Sequence, residues 1–371
     1  MSPLPVSAPV RVLVVDDSAT ARDLIRALIE DDPRLTVCGE AADGRAAVEQ
    51  AQRLRPALIT MDLRMPVLDG LGAIAEIMDL CATRILVVSD CADAAHAMAA
   101  VAGGALEATY KPGLTDGAAF ADRIYLLSGV PVIRHLRARG ESGGPAARTL
   151  GATTVPAARP PDPGRAPAPA DGAVIAIAAS TGGPAALAAL LPALPAGLAA
   201  PVLIAQHICD GFAAGMAAWL TTLCRLPVGL ARDDEVLLPG RVYLADSATH
   251  LDLLPGRRLR LSPCAAGDLY HPSCDRLLCS VAAVVGRRAI GVILTGMGRD
   301  GARGIAAIAA VGGTTIAQDE GSSVVFGMNR EAIAIGAVAR VLPLHAIAAE
   351  LVRLVAAGPE VAAGRDLGLE A

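Results

Sequence analysis

The sequence predicts an α/β protein made of two parallel-sheet units: an N-terminal (βα)5 unit, then a C-terminal doubly wound unit with a mainly parallel sheet. Three observations carry this expectation. Short apolar runs alternate with helical patterns along most of the chain. A stretch from Ala138 to Asp171, rich in Pro, Gly and Ala and lacking hydrophobic periodicity, divides the chain in two. Of the 371 residues 53% are hydrophobic but only 2% aromatic. The cores must therefore be built mainly from Ala, Val, Leu and Ile, as in strands covered on both faces.

Taken in order, residues 1–9 form a tail and residues 10–125 the first unit. Strands are expected at Val10–Val15, Leu35–Glu40, Ala57–Met61, Arg84–Val88 and Glu107–Thr109. Helical patterns lie between them near Thr20–Asp31, Arg45–Leu54, Gly70–Leu80 and Ala92–Ala102. Such βα repeats imply a parallel sheet with helices on both faces. Residues 126–171 are the expected linker, Pro- and Ala-rich from Ala138. In the second unit, residues 172–357, Val174–Ala179, Val202–Gln206 and Ile290–Leu294 read as central strands. A strand- and turn-rich stretch, Pro227–Leu261, sits among them, and residues 358–371 are a second tail.

Several classes are disfavoured. Mean hydropathy is +0.49 and no charge occurs from Gly172 to Gln206, long enough to span a bilayer. Yet Gly182, Gly183, Pro184, Pro192, Pro195, Gly197 and Pro201 cut that run into short pieces without basic or aromatic anchors. The segment MSPLPVSAPVRVLVVDD has no secretory pattern. The expectation is a cytoplasmic protein without direct membrane insertion. With 37 acidic against 32 basic residues and few aromatics, no nucleic-acid partner is expected. The eight cysteines form no C-x-x-C pair and read as reduced, packed thiols.

Asp16 and Asp17 follow the first strand and Asp62 follows the third, in MDLRMPVLDG. Carboxyl ends of parallel strands share one edge, where three carboxylates repel unless a hard cation such as Mg²⁺ neutralises them. Ser89 and Lys111 bring a hydroxyl and a positive charge to the same edge. A carboxylate nucleophile, a metal, a hydroxyl and a lysine make a phosphoryl-accepting site. Each residue alone could be an ordinary cap or turn; together they favour the site.

Ser180 opens S-T-G-G-P after a strand, His207 follows the next in QHICDGF, and Asp300 lies in LTGMGRDGA. Ser180 alone could be a helix cap or part of a phosphate-cradling loop, and Asp300 an ordinary cap. Their convergence after strands of one sheet suggests nucleophile, base and orienting carboxylate. The order Ser, His, Asp and the absence of G-x-S-x-G disfavour the α/β-hydrolase fold.

Over residues up to about 125, VLVVDDS, MDLRMPVLDG, Ser89 and Lys111-Pro112 resemble a response-regulator receiver domain. That resemblance implies phosphorylation on Asp62, Mg²⁺ held by Asp16, Asp17 and Asp62, and phosphoryl contacts from Ser89 and Lys111. Ala108 stands where receivers often carry an aromatic, while Tyr110 adjoins the lysine. The segments ASTGGP, QHICDGF, LTGMGRDGA and AQDEGSSVVFGM resemble the chemotaxis protein-glutamate methylesterase/glutaminase family, whose architecture is a receiver, a linker and this domain. The resemblance implies a triad of Ser180, His207 and Asp300, with Thr181 and the Met297 backbone lining the site and the oxyanion hole. It further implies a cytoplasmic helix of a methyl-accepting chemoreceptor as substrate and a chemotaxis histidine kinase as phosphodonor. No cofactor is expected in the catalytic domain, and the unphosphorylated receiver is expected to cover the cleft.

Three segments depart from the family pattern. A-P-G-x-x-H becomes Ala245-Asp-Ser-Ala-Thr-His250, the H of H-x-P-S-x-D becomes Tyr270, and F-G-M-P ends in Asn329. The residues also allow a phosphorylation-gated binding module with little turnover, or the same esterase in a non-flagellar pathway.

Overall fold

A computed structural model describes residues 8–89, 94–130, 172–265 and 267–357. The expected linker from residue 131 to 171 and the tail at 358–371 lie outside the described residues.

The first unit carries strands β1 (Val10–Val15), β2 (Leu35–Ala41), β3 (Leu58–Met61), β4 (Arg84–Ser89) and β5 (Glu107–Tyr110). Helices α1 (Ala19–Glu30), α2 (Gly44–Leu54), α3 (Gly70–Cys81), α4 (Ala94–Ala102) and α5 (Gly117–Ser128) alternate with them. All pairings are parallel, in the order β2-β1-β3-β4-β5. Polar side chains start the first three helices: Ser18, Asp43 and Asp69 accept hydrogen bonds from the N–H groups of Ala21, Ala46 and Gly72, satisfying donors the helix leaves unpaired. Strand alternation then sorts the core. Val12 and Val14 meet Ile25, Ile29, Phe120 and Ile124 on one face. Leu13, Val15 and Ile59 meet Ala47, Ile74 and Ile77 on the other. Helix α5 continues past the boundary expected at residue 125.

The second unit contains β6 (Val174–Ala179), α6 (Gly183–Leu190), β7 (Val202–Gln206), α7 (Phe212–Leu223), β8 (Val228–Leu230) and β9 (Val242–Leu244). An antiparallel hairpin follows, β10 (Thr249–Leu254) and β11 (Arg258–Pro263). Then come α8 (Cys274–Val285), β12 (Ala289–Ile293), α9 (Ala302–Ala310), β13 (Thr314–Gln318), α10 (Met328–Ala334), β14 (Arg340–Leu342) and α11 (Leu344–Ala357). The seven-stranded sheet, β14-β13-β12-β6-β7-β9-β8, is parallel throughout. Every residue of β6 is buried, as its uninterrupted VIAIAA run requires. Ile175 and Ile177 pack toward Leu187 and Ile347, whereas Ala176 and Ala178 face Leu278 and Ile305. Each large aliphatic side chain so buried contributes about 1.5–3 kcal/mol.

The uncharged run is thus strand, turn, helix and strand, and among the described residues no helix is long and apolar enough to cross a membrane. Described cysteines are all free thiols. The two units also touch. Helix α4 packs on α6 and α7, and Tyr110 at the end of β5 meets Phe212 at the start of α7, ring centroids 4.6 Å apart.

Candidate active site and phosphoryl-accepting pocket

Strands β12, β6 and β7 lie side by side, and from β6 the connections leave in opposite directions. That switch point is where a doubly wound sheet opens a crevice. The register pairs Ala179 with Gln206, so Ser180 and His207 occupy the next positions on neighbouring strands. The His207 N–H donates to Ala179 O at 3.0 Å, and the Ser180 N–H donates to Thr295 O at 3.1 Å. Gln206 Nε2 clamps this corner by donating to the carbonyls of both Ser180 and His207, each at 2.8 Å.

Two glycines let the turns approach. Gly182 has φ +79° and its Cβ would sit 2.5 Å from Val324 Cβ; at Gly296 a Cβ would sit 2.2 Å from Met328 Sδ and 2.8 Å from Ser180 Cβ. A side chain at Gly182 collides with Val324, and one at Gly296 collides with Met328 and with Ser180 itself. Pro184 in the first turn of α6 completes the strand–turn–helix arrangement. The backbone N–H groups of Thr181 and Met297 donate no hydrogen bond within the described residues.

His207 Nε2 lies 2.9 Å from Asp300 Oδ2. The same carboxylate accepts from the N–H groups of Cys274 at 2.7 Å and Asp275 at 2.9 Å, and from Ser273 Oγ at 3.3 Å. Burial raises the Asp300 pKa, but His207 and those backbone donors outweigh it and hold the carboxyl below its ordinary value. The Cys274 thiol, 3.4 Å from His207 Nε2, is pushed well up by burial and by Asp300. Asp300 therefore occupies Nε2, leaving Nδ1 as the ring nitrogen free to take a proton. Among the described residues Ser180 Oγ makes no hydrogen bond to His207.

The first unit closes over this corner. Thr181 Oγ1 donates to Glu107 Oε2 at 3.3 Å, and Arg123 Nε donates to Glu107 Oε1 at 2.6 Å. Cys209 Sγ contacts Thr109 Oγ1 at 3.6 Å. A cavity of about 420 Å³ between the units is lined by Glu107, Lys111 and Arg123 on one side and His207 and Cys209 on the other.

At the other sheet edge, ligand atoms of Asp16, Asp17 and Asp62 lie within 4.8 Å of one another. Asp16 and Asp62 are buried and Asp17 is exposed. Lys111 Nζ donates to Asp62 Oδ2 at 3.0 Å and forms an ion pair with Asp16 Oδ2 at 2.8 Å. Burial pushes the Asp62 carboxyl up; Lys111 opposes this and the Asp16 charge adds to it. Ser89 is fully buried, with no hydrogen-bond partner for Oγ among the described residues. Three carboxylates with their oxygens gathered this closely, an all-oxygen donor set, fit a hard divalent cation.

A second cluster, His250, Cys264 and Asp268, has metal-like composition, but its hydrogen bonds argue otherwise. The Ser273 N–H donates to His250 Nδ1 at 3.0 Å, so the ring proton resides on Nε2 and is shared with Asp268 Oδ2 at 2.8 Å. His250 thus ties the rebuilt Ala245–His250 segment to the loop ahead of α8.

Sequence reasoning names Ser180, Thr181, His207, Met297 and Asp300 for one edge and Asp16, Asp17, Asp62, Ser89 and Lys111 for the other. The fold gathers each set. Gln206, Cys274, Asp275, Thr295 and Glu107 are not singled out for the site by their sequence context. The Ser273–Asp275 helix start is the one local signal for the carboxylate cradle.

Comparison with known proteins finds relatives of both units. Residues 12–117 match the family model for the response regulator receiver domain, and residues 175–351 match that for CheB methylesterase. A protein-glutamate methylesterase/protein-glutamine glutaminase of Paramagnetospirillum magneticum is 49% identical over 95% of this chain and 98% of its own. One from Myxococcus xanthus is 44% identical over 91% and 92%. The crystal structure of a Thermotoga maritima CheB methylesterase catalytic domain, 36% identical with a TM-score of 0.48, covers 49% of this chain and 98% of that one. With a receiver model and a methylesterase model matched in sequence along one chain, this protein belongs to the protein-glutamate methylesterase/protein-glutamine glutaminase family.

Proposed function

We propose that this protein is a phosphorylation-activated serine hydrolase that removes methyl groups from glutamate γ-methyl esters of chemoreceptors and deamidates receptor glutamines. The observation that carries this reading is the His207–Asp300 hydrogen bond of 2.9 Å beside the adjacent strand end bearing Ser180. Ser180 Oγ attacks the ester carbonyl while its proton passes to His207 Nδ1. The Thr181 and Met297 N–H groups face the developing oxyanion, each such donor contributing about 3–4 kcal/mol to the barrier. Collapse expels methanol with the proton returned from His207, and water then releases the free glutamate from the acyl-enzyme. A glutamine side chain follows the same course with ammonia leaving. Asp300 fixes the tautomer and stabilises the imidazolium.

The receiver half of the reading gives the receiver the whole of α5, to Ser128, three residues past the boundary expected from sequence, followed by a linker and a methylesterase domain from residue 172. Asp62 is the phosphoacceptor for a chemotaxis histidine kinase. Asp16, Asp17 and Asp62 would hold Mg²⁺, which supplies charge neutralisation for phosphoryl transfer. Ser89 and Lys111 receive the phosphoryl oxygens. The Glu107–Thr181 contact supports a receiver that screens the cleft until phosphorylation shifts the balance of states. The work is expected in the cytoplasm, on receptor helices outside the bilayer.

The test is methanol release from methylated receptors, with and without a small phosphodonor. Ser180→Ala should abolish release and labelling by a fluorophosphonate in a folded protein. Retained turnover would remove Ser180 from the mechanism.

A further inference from the structure

One ring in the cleft lies outside the triad. Tyr270 stacks on the His207 imidazole, centroids 5.1 Å apart and planes 11° from parallel. Its hydroxyl lies 3.2 Å from the point a Gly298 Cβ would reach, so the ring stands between the histidine and the turn carrying Met297. Resting on the function proposed above, we propose that Tyr270 is a positioning residue that holds the His207 ring plane so that Nδ1 faces Ser180.

The reasoning starts from how weakly the imidazole is otherwise held. Its single ring-to-carboxylate hydrogen bond is at Nε2. Nε2 lies nearer the Cβ–Cγ rotation axis than Nδ1 does, so rotation about that bond swings Nδ1 while largely preserving the Asp300 contact. Cys274 Sγ, the other group near the ring, also meets it at Nε2. A flat ring lying parallel to the imidazole opposes that rotation without using a hydrogen bond. When His207 becomes the imidazolium, the same aromatic face attracts the new charge. Tyrosine suits both tasks, because its polar tip reaches the cleft while its face covers the histidine.

The experiment compares Tyr270→Phe, Tyr270→Leu and Tyr270→Ala in the full chain. It reads kcat and KM for receptor demethylation and the rate of fluorophosphonate labelling of Ser180. A stacked pair of this kind supports a loss of about tenfold in kcat for Leu and Ala, with an equal loss in labelling and little change in KM. The Phe variant, which keeps the aromatic face, should recover most of both rates. Leu retains apolar bulk without a flat face, so it separates stacking from space filling should Ala fail to fold. A rise in KM with kcat and labelling unchanged would overturn the proposal, as would a Leu variant as fast as Phe. Ser180→Ala run alongside keeps the two readings apart: turnover in that variant defeats the serine mechanism, whereas a dead Ser180→Ala with a fully active Tyr270→Ala defeats only the role of Tyr270.

Discussion

Replacing Asp300 by Asn tests the His–Asp couple with the smallest change of shape. The carboxylate is 2% exposed and both oxygens are committed: Oδ2 to His207 and the Cys274 N–H, Oδ1 to the Asp275 N–H and Ser273 Oγ. An amide has one accepting oxygen, so it must choose. With its oxygen at the Oδ2 position it keeps His207 and Cys274, and its NH₂ can donate to Ser273 Oγ while opposing the Asp275 N–H. The reverse orientation keeps the Asp275 N–H and Ser273 Oγ, opposes the Cys274 N–H, and donates to His207 Nε2 in the tautomer protonated at Nδ1. Either orientation leaves one buried backbone N–H unsatisfied, that of Asp275 or of Cys274, at a cost of about 1–3 kcal/mol. At roughly 2–4 °C per kcal/mol for a unit of this size, the unfolding temperature should fall by several degrees. The charge that stabilises the imidazolium is lost, and the reverse orientation also fixes the tautomer that cannot take the Ser180 proton. A charged hydrogen bond exceeds a neutral one by enough to predict a fall in kcat of about 10²-fold. Because the native carboxyl titrates below its ordinary value, it contributes stability above that value and loses it as the pH falls through the depressed one; the variant should lack this part of the acid transition. Thermal melts across pH and demethylation kinetics measure both effects. An Asp300→Asn variant with native kcat would refute the assignment, and a native melting curve would refute the hydrogen-bond accounting.

Three further substitutions probe other links. Asp62→Asn should remove activation by acetyl phosphate, measured as the ratio of methanol release with and without the phosphodonor; full activation would exclude Asp62 as acceptor. Glu107→Ala removes the acceptor of the Thr181 hydroxyl and should raise unphosphorylated activity about fivefold, the worth of roughly one hydrogen bond. No rise would mean that Glu107 does not screen the cleft. Gly296→Ala drives a methyl group into Met328 Sδ and Ser180 Cβ and should slow fluorophosphonate labelling at least about tenfold through displacement of Ser180; unaltered labelling would show that the turn absorbs the intrusion.

Much of this architecture was legible because buried parallel strands announce themselves. Val12–Val15, Val174–Ala179 and the first four residues of β7 are continuous apolar runs, and chemistry-bearing residues follow within two positions. Boundaries were less legible. β12 stops at Ile293 rather than Leu294, and α5, in GAAFADRIYLLS, shows too diffuse an apolar pattern to have been placed. The thin strands β13 and β14 carry polar residues at their ends and give only a weak strand signal. The triad was readable as three strand ends, but its support was not. The Asp300 cradle comes mainly from the first backbone N–H groups of α8, which the Ser273 helix start marks only as an ordinary cap. Glu107 and Thr181 are separated by the whole linker, and one-dimensional periodicity says nothing about contacts at that distance.

The edge strand β5 is four residues long, about 13 Å at the rise of an extended chain. One end delivers Lys111 to the carboxylate pocket and the other delivers Glu107 to Thr181, with Thr109 and Tyr110 resting on Cys209 and Phe212 between them. Sensor and effector therefore share a single rigid segment, and the receiver is not an interchangeable cassette. A chimera that swaps residues 10–125 for those of another receiver would exchange the phosphorylation chemistry intact yet lose its connection to the hydrolase. Restoring that connection requires returning the β5 residues that meet Thr181, Cys209 and Phe212.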